Sequence, residues 1–162
     1  MHTLKDKFDS IYNTNYPKVY RLCLGYTNGN EVLSKDLAQE TFLKVWQNLD
    51  KFRQESSLST WIYRITVNTC LIELRKTLHH VSVDHLNQSL EIDENSAKQK
   101  EKNLDQLYQC IQLLKASDKS IILLELEGLP QKEIADIMGM THEAIRVRVY
   151  RIKKELTKCV KK

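Results

Sequence analysis

Gln131-Lys132-Glu133-Ile134-Ala135-Asp136-Ile137-Met138-Gly139-Met140-Thr141-His142-Glu143-Ala144-Ile145 is the stretch that decides the fold. Two helices that cross closely need a small residue in the first, and Ala135 supplies it. Four residues on, the turn needs a positive φ, which glycine adopts most easily, and Gly139 stands there. Thr141 is expected to cap the second helix, and Glu143 in its first turn suits the positive end of the helix dipole. Ile145, Val149, Ile152 and Leu156 recur at helical spacing and bury one face, while Ile134, Ile137 and Met138 complete a small core. The pattern is a helix-turn-helix whose second helix covers residues 141–157.

That packing turns His142, Glu143, Arg146, Val147 and Tyr150 outward from the front of the second helix. Arg148, Arg151, Lys153 and Lys154 flank them. Outward residues on such a helix meet base edges in a major groove, and flanking cations meet phosphates and fix register. One good arginine–guanine pair supplies about 1–3 kcal/mol of discrimination. Residues 141–162 hold eight basic residues against two acidic ones, whereas residues 84–103 hold five acidic against three basic. A solvated Lys/Arg tail or a basic helical hairpin accounts for the charge alone. Charge together with the turn spacing points to a polyanion, DNA.

Upstream, residues 35–49 form a helix starting at Ser34 or its neighbours. Ala38, Phe42, Val45, Trp46 and Leu49 share a core-type face. Asp36, Gln39, Glu40, Leu43 and Gln47 lie opposite. An ordinary wet face explains the polar members, but Leu43 is an apolar anchor ringed by acids and amides, a pattern suited to docking on a basic protein. A polar loop over residues 49–57 then carries Phe52 and Arg53. Ser59 is expected to cap the next helix, in which Ile62, Ile65, Thr69 and Ile72 face one way. Trp61, Arg64, Asn68, Leu71 and Arg75 make a second stripe. It serves equally as ordinary packing or as a surface that stacks an unpaired base and binds phosphate.

The remaining residues set bounds. Only four glycines and two prolines punctuate 162 residues of which 41% are hydrophobic, so an all-α fold is expected and an all-β one is not. Phe8, Ile11, Tyr12, Val19, Leu22 and Cys23 supply an apolar stripe in the first domain, interrupted over residues 13–17. Cys23, Cys70, Cys110 and Cys159 are widely spaced and read as small core residues in a reducing compartment, not as a disulfide frame or zinc site. No signal core and no apolar run of the ~18 residues a membrane span needs is present. A soluble, cytoplasmic protein without direct membrane insertion is expected. Residues 79–103 are polar, although 97–102 could extend the following helix. The expected organisation is a first helical domain over residues 1–82, a flexible linker over 83–103 and a second domain over 104–162.

Taken together these segments resemble an extracytoplasmic-function sigma factor of bacterial RNA polymerase. Asp36-Leu37-Ala38-Gln39-Glu40-Thr41-Phe42-Leu43-Lys44-Val45-Trp46 resembles the family's polymerase-binding helix in region two. Ser59-Thr60-Trp61-Ile62-Tyr63-Arg64-Ile65 and Asn68-Thr69-Cys70 resemble the segment after its promoter-melting loop, and Gly128-Leu129 onward to Leu156 resembles region four. The resemblance implies that Asp36, Gln39, Glu40, Leu43 and Gln47 dock on the clamp helices of the largest polymerase subunit, with the flap as a further contact. It implies that Phe52, Arg53, Trp61, Arg64, Asn68 and Arg75 engage the minus-ten element, where a non-template base is flipped. It implies that Thr141, His142, Glu143, Arg146, Val147, Arg148, Tyr150, Arg151 and Lys154 read the minus-thirty-five element. A cognate anti-sigma protein is implied as a partner, and no cofactor, metal or bond-making step. A linker of roughly 20 residues coils to ~25 Å and stretches to ~70 Å, enough for modules two ~34 Å duplex turns apart.

Three features depart from the family. Lys35 stands where an acid is usual, Pro130 replaces the usual serine before the first helix of the motif, and His142-Glu143-Ala144 replaces a smaller start of the reading helix. The promoter sequence therefore does not carry over from relatives. Other readings leave segments idle. An operator-binding helix-turn-helix dimer independent of polymerase gives residues 36–46 and the Trp61 stripe no task. A metal hydrolase would have to rest on His79, His80, Asp84 and His85, yet adjacent histidines on a helix point about 100° apart. A purely structural adaptor leaves the basic helix unexplained.

Overall fold

The structure, a computed structural model, describes residues 3–78 and 96–161. Their regular elements are α1 (Leu4–Tyr26), α2 (Glu31–Asn48), a single 3-10 turn (Leu49–Lys51), α3 (Leu58–Leu78), α4 (Ser96–Gln112), α5 (Ala116–Leu126), α6 (Gln131–Met138) and α7 (His142–Lys161). Among the described residues there are helices and no strands, as composition requires.

Local chemistry places the ends. A capping box closes the start of α1, with Thr3 Oγ1 accepting from Asp6 N at 3.2 Å and Asp6 Oδ2 accepting from Thr3 N at 3.1 Å. The interruption of the apolar stripe does not interrupt the helix: α1 runs through Pro17. Pro17 removes one rung, at the Asn13 carbonyl, and both residues are exposed, so water can take that acceptor. The second helix begins at Glu31, earlier than expected, because Asn30 Oδ1 accepts from Leu33 N at 3.1 Å. Ser34 lies inside it, buried, with its hydroxyl 2.7 Å from that of Thr27. The third helix is capped by Ser57, whose Oγ accepts from Thr60 N at 3.1 Å; Ser59 falls in the first turn instead. The fourth begins at Ser96 and so takes up the end of the stretch expected as linker.

The helix-turn-helix forms as read. Gly139 ends α6 in the left-handed region at φ 67°, and Thr141 Oγ1 accepts from Ala144 N at 3.1 Å to start α7. Ile134, Ile137, Ile145, Val149, Ile152 and Leu156 are buried, with Ile121 and Leu124 of α5 beneath them. The other half packs α1, α2 and α3 around Ile11, Val19, Leu22, Phe42, Val45 and Ile62.

The halves are also packed on each other, α1 against α5 and α3 against α5 and α6. Gly25 permits the closest approach: a Cβ there would lie 2.5 Å from Leu123 Cδ2. Around it, Tyr26 donates to Ser120 Oγ at 2.5 Å and Gln112 Nε2 donates to the Gly25 carbonyl at 2.7 Å. Arg21 grips Glu127 with two hydrogen bonds, at 3.3 and 3.1 Å. Beside that pair the Tyr63 phenol is pushed up to about 12, by burial first and by the Glu127 carboxylate second.

The cysteines correct the expectation most plainly. Cys110 of α4 and Cys159 of α7 form a disulfide, 49 residues apart in sequence. Spacing along the chain cannot reveal such a pair, because it is made where two distant helices lie side by side. Cys23 and Cys70 are the buried core residues that were expected, free thiols with sulfurs 3.8 Å apart between α1 and α3.

Candidate nucleic-acid interface

The reading helix presents His142, Glu143, Arg146, Val147 and Tyr150 to solvent, Val147 at 57% and Tyr150 at 65% exposure. Apolar side chains that open on a monomer's surface suit thymine methyls and sugar edges. Arg146 lies 3.5 Å from Glu143 one turn back, an exposed pair that an incoming guanine or phosphate can displace. Lys154 Nζ sits 5.1 Å from the centre of the Tyr150 ring, which holds both side chains on the same open face.

The flanking cations are less free than their spacing suggests. Asp118, in the first turn of α5 and 8% exposed, faces α7. Arg148 lies 3.5 Å and Arg151 4.0 Å from its carboxylate, and Arg148 also donates to Ser117 Oγ at 3.1 Å. Lys153 pairs with Glu125 at 3.2 Å. Two acids of α5 thus seat one side of α7 and neutralise part of its charge. Asp118→Asn is expected to free the two arginines and to steepen the salt dependence of duplex binding by roughly one unit per arginine freed. Fluorescence anisotropy over a salt series reads this. An unchanged slope means that neither arginine reaches a phosphate.

On α3 the stripe is half exposed. Trp61 is half-buried, and its ring centre lies 4.8 Å from that of Phe52, so loop and helix together make an aromatic floor. Arg53, Asn68 and Arg75 are exposed. Gln54 takes φ 61°, a left-handed bend that turns the loop sharply after Arg53. Arg64 does not point to solvent: its Nη2 donates to the Asp136 carbonyl in α6 at 2.9 Å. Ile72, on the same face as Ile62 and Ile65, is 43% exposed.

On α2, Asp36, Gln39, Glu40, Leu43 and Gln47 are all exposed and share one side, Leu43 at 55%. Trp46, expected in the core, is 41% exposed and meets Phe8 edge-on at 5.2 Å, which adds a second apolar group beside Leu43. Lys44 ties back to Glu40 at 3.5 Å and to Thr69 Oγ1 at 3.1 Å.

Asp118, Glu125, Gly25, Arg21 and Glu127 are contributors that the sequence reading did not single out. An acid in a helix's first turn is ordinary, and only the tertiary crossing shows what it faces. His79, His80, Asp84 and His85 lie outside the described residues. Among those described, no cluster of three or more His, Cys, Asp or Glu side chains could hold a metal, and no helix is long and apolar enough to cross a membrane.

The fold and its surfaces define a two-part helical protein with a helix-turn-helix whose second helix is basic and outward, and an exposed acidic-apolar face on α2. Residues 11–79 match Sigma-70 region 2, and residues 104–156 match Sigma-70, region 4. The RNA polymerase sigma factor YlaC of Bacillus subtilis is 27% identical over 95% of this chain and 92% of its own length. The ECF RNA polymerase sigma-E factor of Haemophilus influenzae is 28% identical over 91% of this chain and 84% of its own. Among solved structures, the sigma factor RpoE of Bartonella quintana, in complex with the anti-sigma factor NepR, shares the fold with a TM-score of 0.73 at 22% identity, covering 96% of this chain and 97% of that one. CnrH in complex with the cytosolic domain of CnrY does so at 0.71 and 18% identity, covering 95% and 87%. This chain belongs to the sigma-70 family, carries its regions 2 and 4, and is of the extracytoplasmic-function type.

Proposed function

We propose that this chain is an alternative sigma factor working in the cytoplasm: it binds core RNA polymerase through the α2 face, recognises promoter DNA with α3 and α7, and lends binding energy to melting. It makes and breaks no bond itself. The observation that carries this reading is that one chain presents both an acidic strip around exposed Leu43 and an outward cationic reading helix. An operator-binding regulator needs only the second.

The packed halves add a step. Arg64, from the minus-ten stripe, is occupied by an α6 carbonyl, so α3 and the helix-turn-helix cannot serve two separated promoter elements while in contact. Promoter binding therefore separates α3 from α6 and α1 from α5, with residues 79–95 between the parts. The sigma factor RpoE, solved in complex with the anti-sigma factor NepR, shares this fold over 96% of this chain, which supports a partner that holds this chain closed.

Co-elution with core polymerase tests the reading. Leu43→Asp is expected to weaken core binding by at least tenfold, about 1.4 kcal/mol, and to leave binding of upstream duplex unchanged. Arg146→Ala is expected to do the reverse, at about 1–3 kcal/mol. Equal loss of core binding in both variants refutes this division of labour, and absence of core binding by the unaltered chain refutes the reading itself.

A further inference from the structure

We propose that the Cys110–Cys159 bond is a thiol–disulfide exchange site at which a small thiol–disulfide couple ties α4 to the reading helix or frees it. The inference rests on the reading above in one respect. A protein that acts on promoter DNA works where thiols are kept reduced, and a disulfide there is a reversible state, not a permanent staple.

Three observations carry it. The first is access. Cys159, near the end of α7, is half-buried, while Cys110 is 8% exposed. An incoming thiolate therefore reaches the Cys159 sulfur. The second is charge. Exposed Lys158 and Lys161 lie on the last turns of α7 with Cys159, and with Glu155 one turn back they leave this end of the helix net positive, which draws in an anionic small thiol. The third is leverage. Gln99 through Gln106 of α4 are exposed, and among the residues of that helix whose burial is described only Cys110 and Ile111 are buried, so the bond is a large share of what holds it. Beside it, Leu107 and Tyr108 of α4 are only partly buried against the core.

The chemistry balances without further reagents. A first small thiolate attacks Cys159 Sγ, forming a mixed disulfide and releasing Cys110 as a thiolate that takes up a proton. A second small thiol attacks the mixed bond, releasing Cys159 and leaving one oxidised small disulfide. Two electrons pass from the couple to the protein, and reoxidation runs the same steps backward. The Cys23 and Cys70 sulfurs are no such site, since both are at most 1% exposed and no external thiol reaches them.

Freeing α4 matters beyond its own position. Gln112 at its end donates to the Gly25 carbonyl across the halves and accepts from Lys119 Nζ at 3.1 Å, so the helix also braces the closed arrangement.

The test uses the full chain equilibrated in a series of reduced to oxidised glutathione ratios, acid-quenched, unfolded and alkylated, then weighed. Two alkylated thiols are expected at the oxidising end and four at the reducing end, with a glutathione adduct on Cys159 between them. Amide exchange in α4 is expected to rise at least tenfold on reduction while that of α6 stays as it was. Cys159→Ser should show the reduced pattern of exchange at every ratio; if that variant does not fold, reduction of the unaltered chain makes the same comparison. Four thiols at every ratio, two at every ratio, or equal α4 exchange in both forms overturns the proposal. None of these readouts involves polymerase, so failure of the sigma reading leaves them standing and their failure leaves it untouched.

Discussion

Ile145→Ala is expected to destabilise the α5–α7 unit by about 2–5 kcal/mol and to abolish binding of upstream promoter duplex. Ile145 is fully buried where α7 crosses α6 under Ala135, and its side chain touches the core that seats the reading helix. Removing three carbons there loses transfer energy and leaves a cavity that two rigid helices cannot close. A domain held by roughly 5–15 kcal/mol loses a large fraction of its stability. Far-ultraviolet melting together with anisotropy on labelled duplex measures both effects. The control is Val147→Ala, two residues on and exposed: it should alter duplex affinity with the melting temperature unmoved. If Ile145→Ala melts like the unaltered chain, the helix is not seated as described.

Gly25→Val is expected to force the halves apart. Its Cβ would lie within 2.5 Å of a Leu123 methyl, and Leu123 is itself buried, so the added carbons have nowhere to go while α1 and α5 remain in contact. Overpacking of this kind costs about 1–3 kcal/mol. Each half keeps its own core, so separation relieves the clash at the loss of the Arg21–Glu127, Tyr26–Ser120 and Gln112–Gly25 contacts. Since an affinity scales with the fraction of competent molecules, promoter and polymerase binding should tighten as the closed form is depleted, roughly tenfold for 1.4 kcal/mol. Small-angle scattering should report a larger radius of gyration. An unchanged radius with weaker binding and a lower melting temperature would mean that the interface is structural support, not a latch.

What could be read along the chain was what is decided within a few residues. Ala135, Gly139 and Thr141 act through steric room, φ and a cap, and all three stand as expected. Caps were legible in kind but not in place: Asn30 and Ser57 won over Ser34 and Ser59 because each offers its oxygen to the amide three residues on. The gap in the apolar stripe over residues 13–17 left open whether one helix spans it; buried residues on both sides keep α1 whole. Trp46 was placed inside by periodicity, yet it sits at the margin of the helical face, where a large ring reaches solvent. The Cys110–Cys159 bond, the Asp118 seat and the Arg64–Asp136 contact join residues 30 or more positions apart. Such pairings follow from how helices cross, and no spacing in the chain encodes them.

Run-off transcription with core polymerase on linear promoter DNA tests the central reading most directly. With this chain added, discrete transcripts are expected from start sites that share two conserved elements about two duplex turns apart, and Asn68→Ala and Arg146→Ala should lower output through different elements. Tight duplex binding with no core-dependent transcript from any template would contradict it and leave an operator-binding regulator in its place.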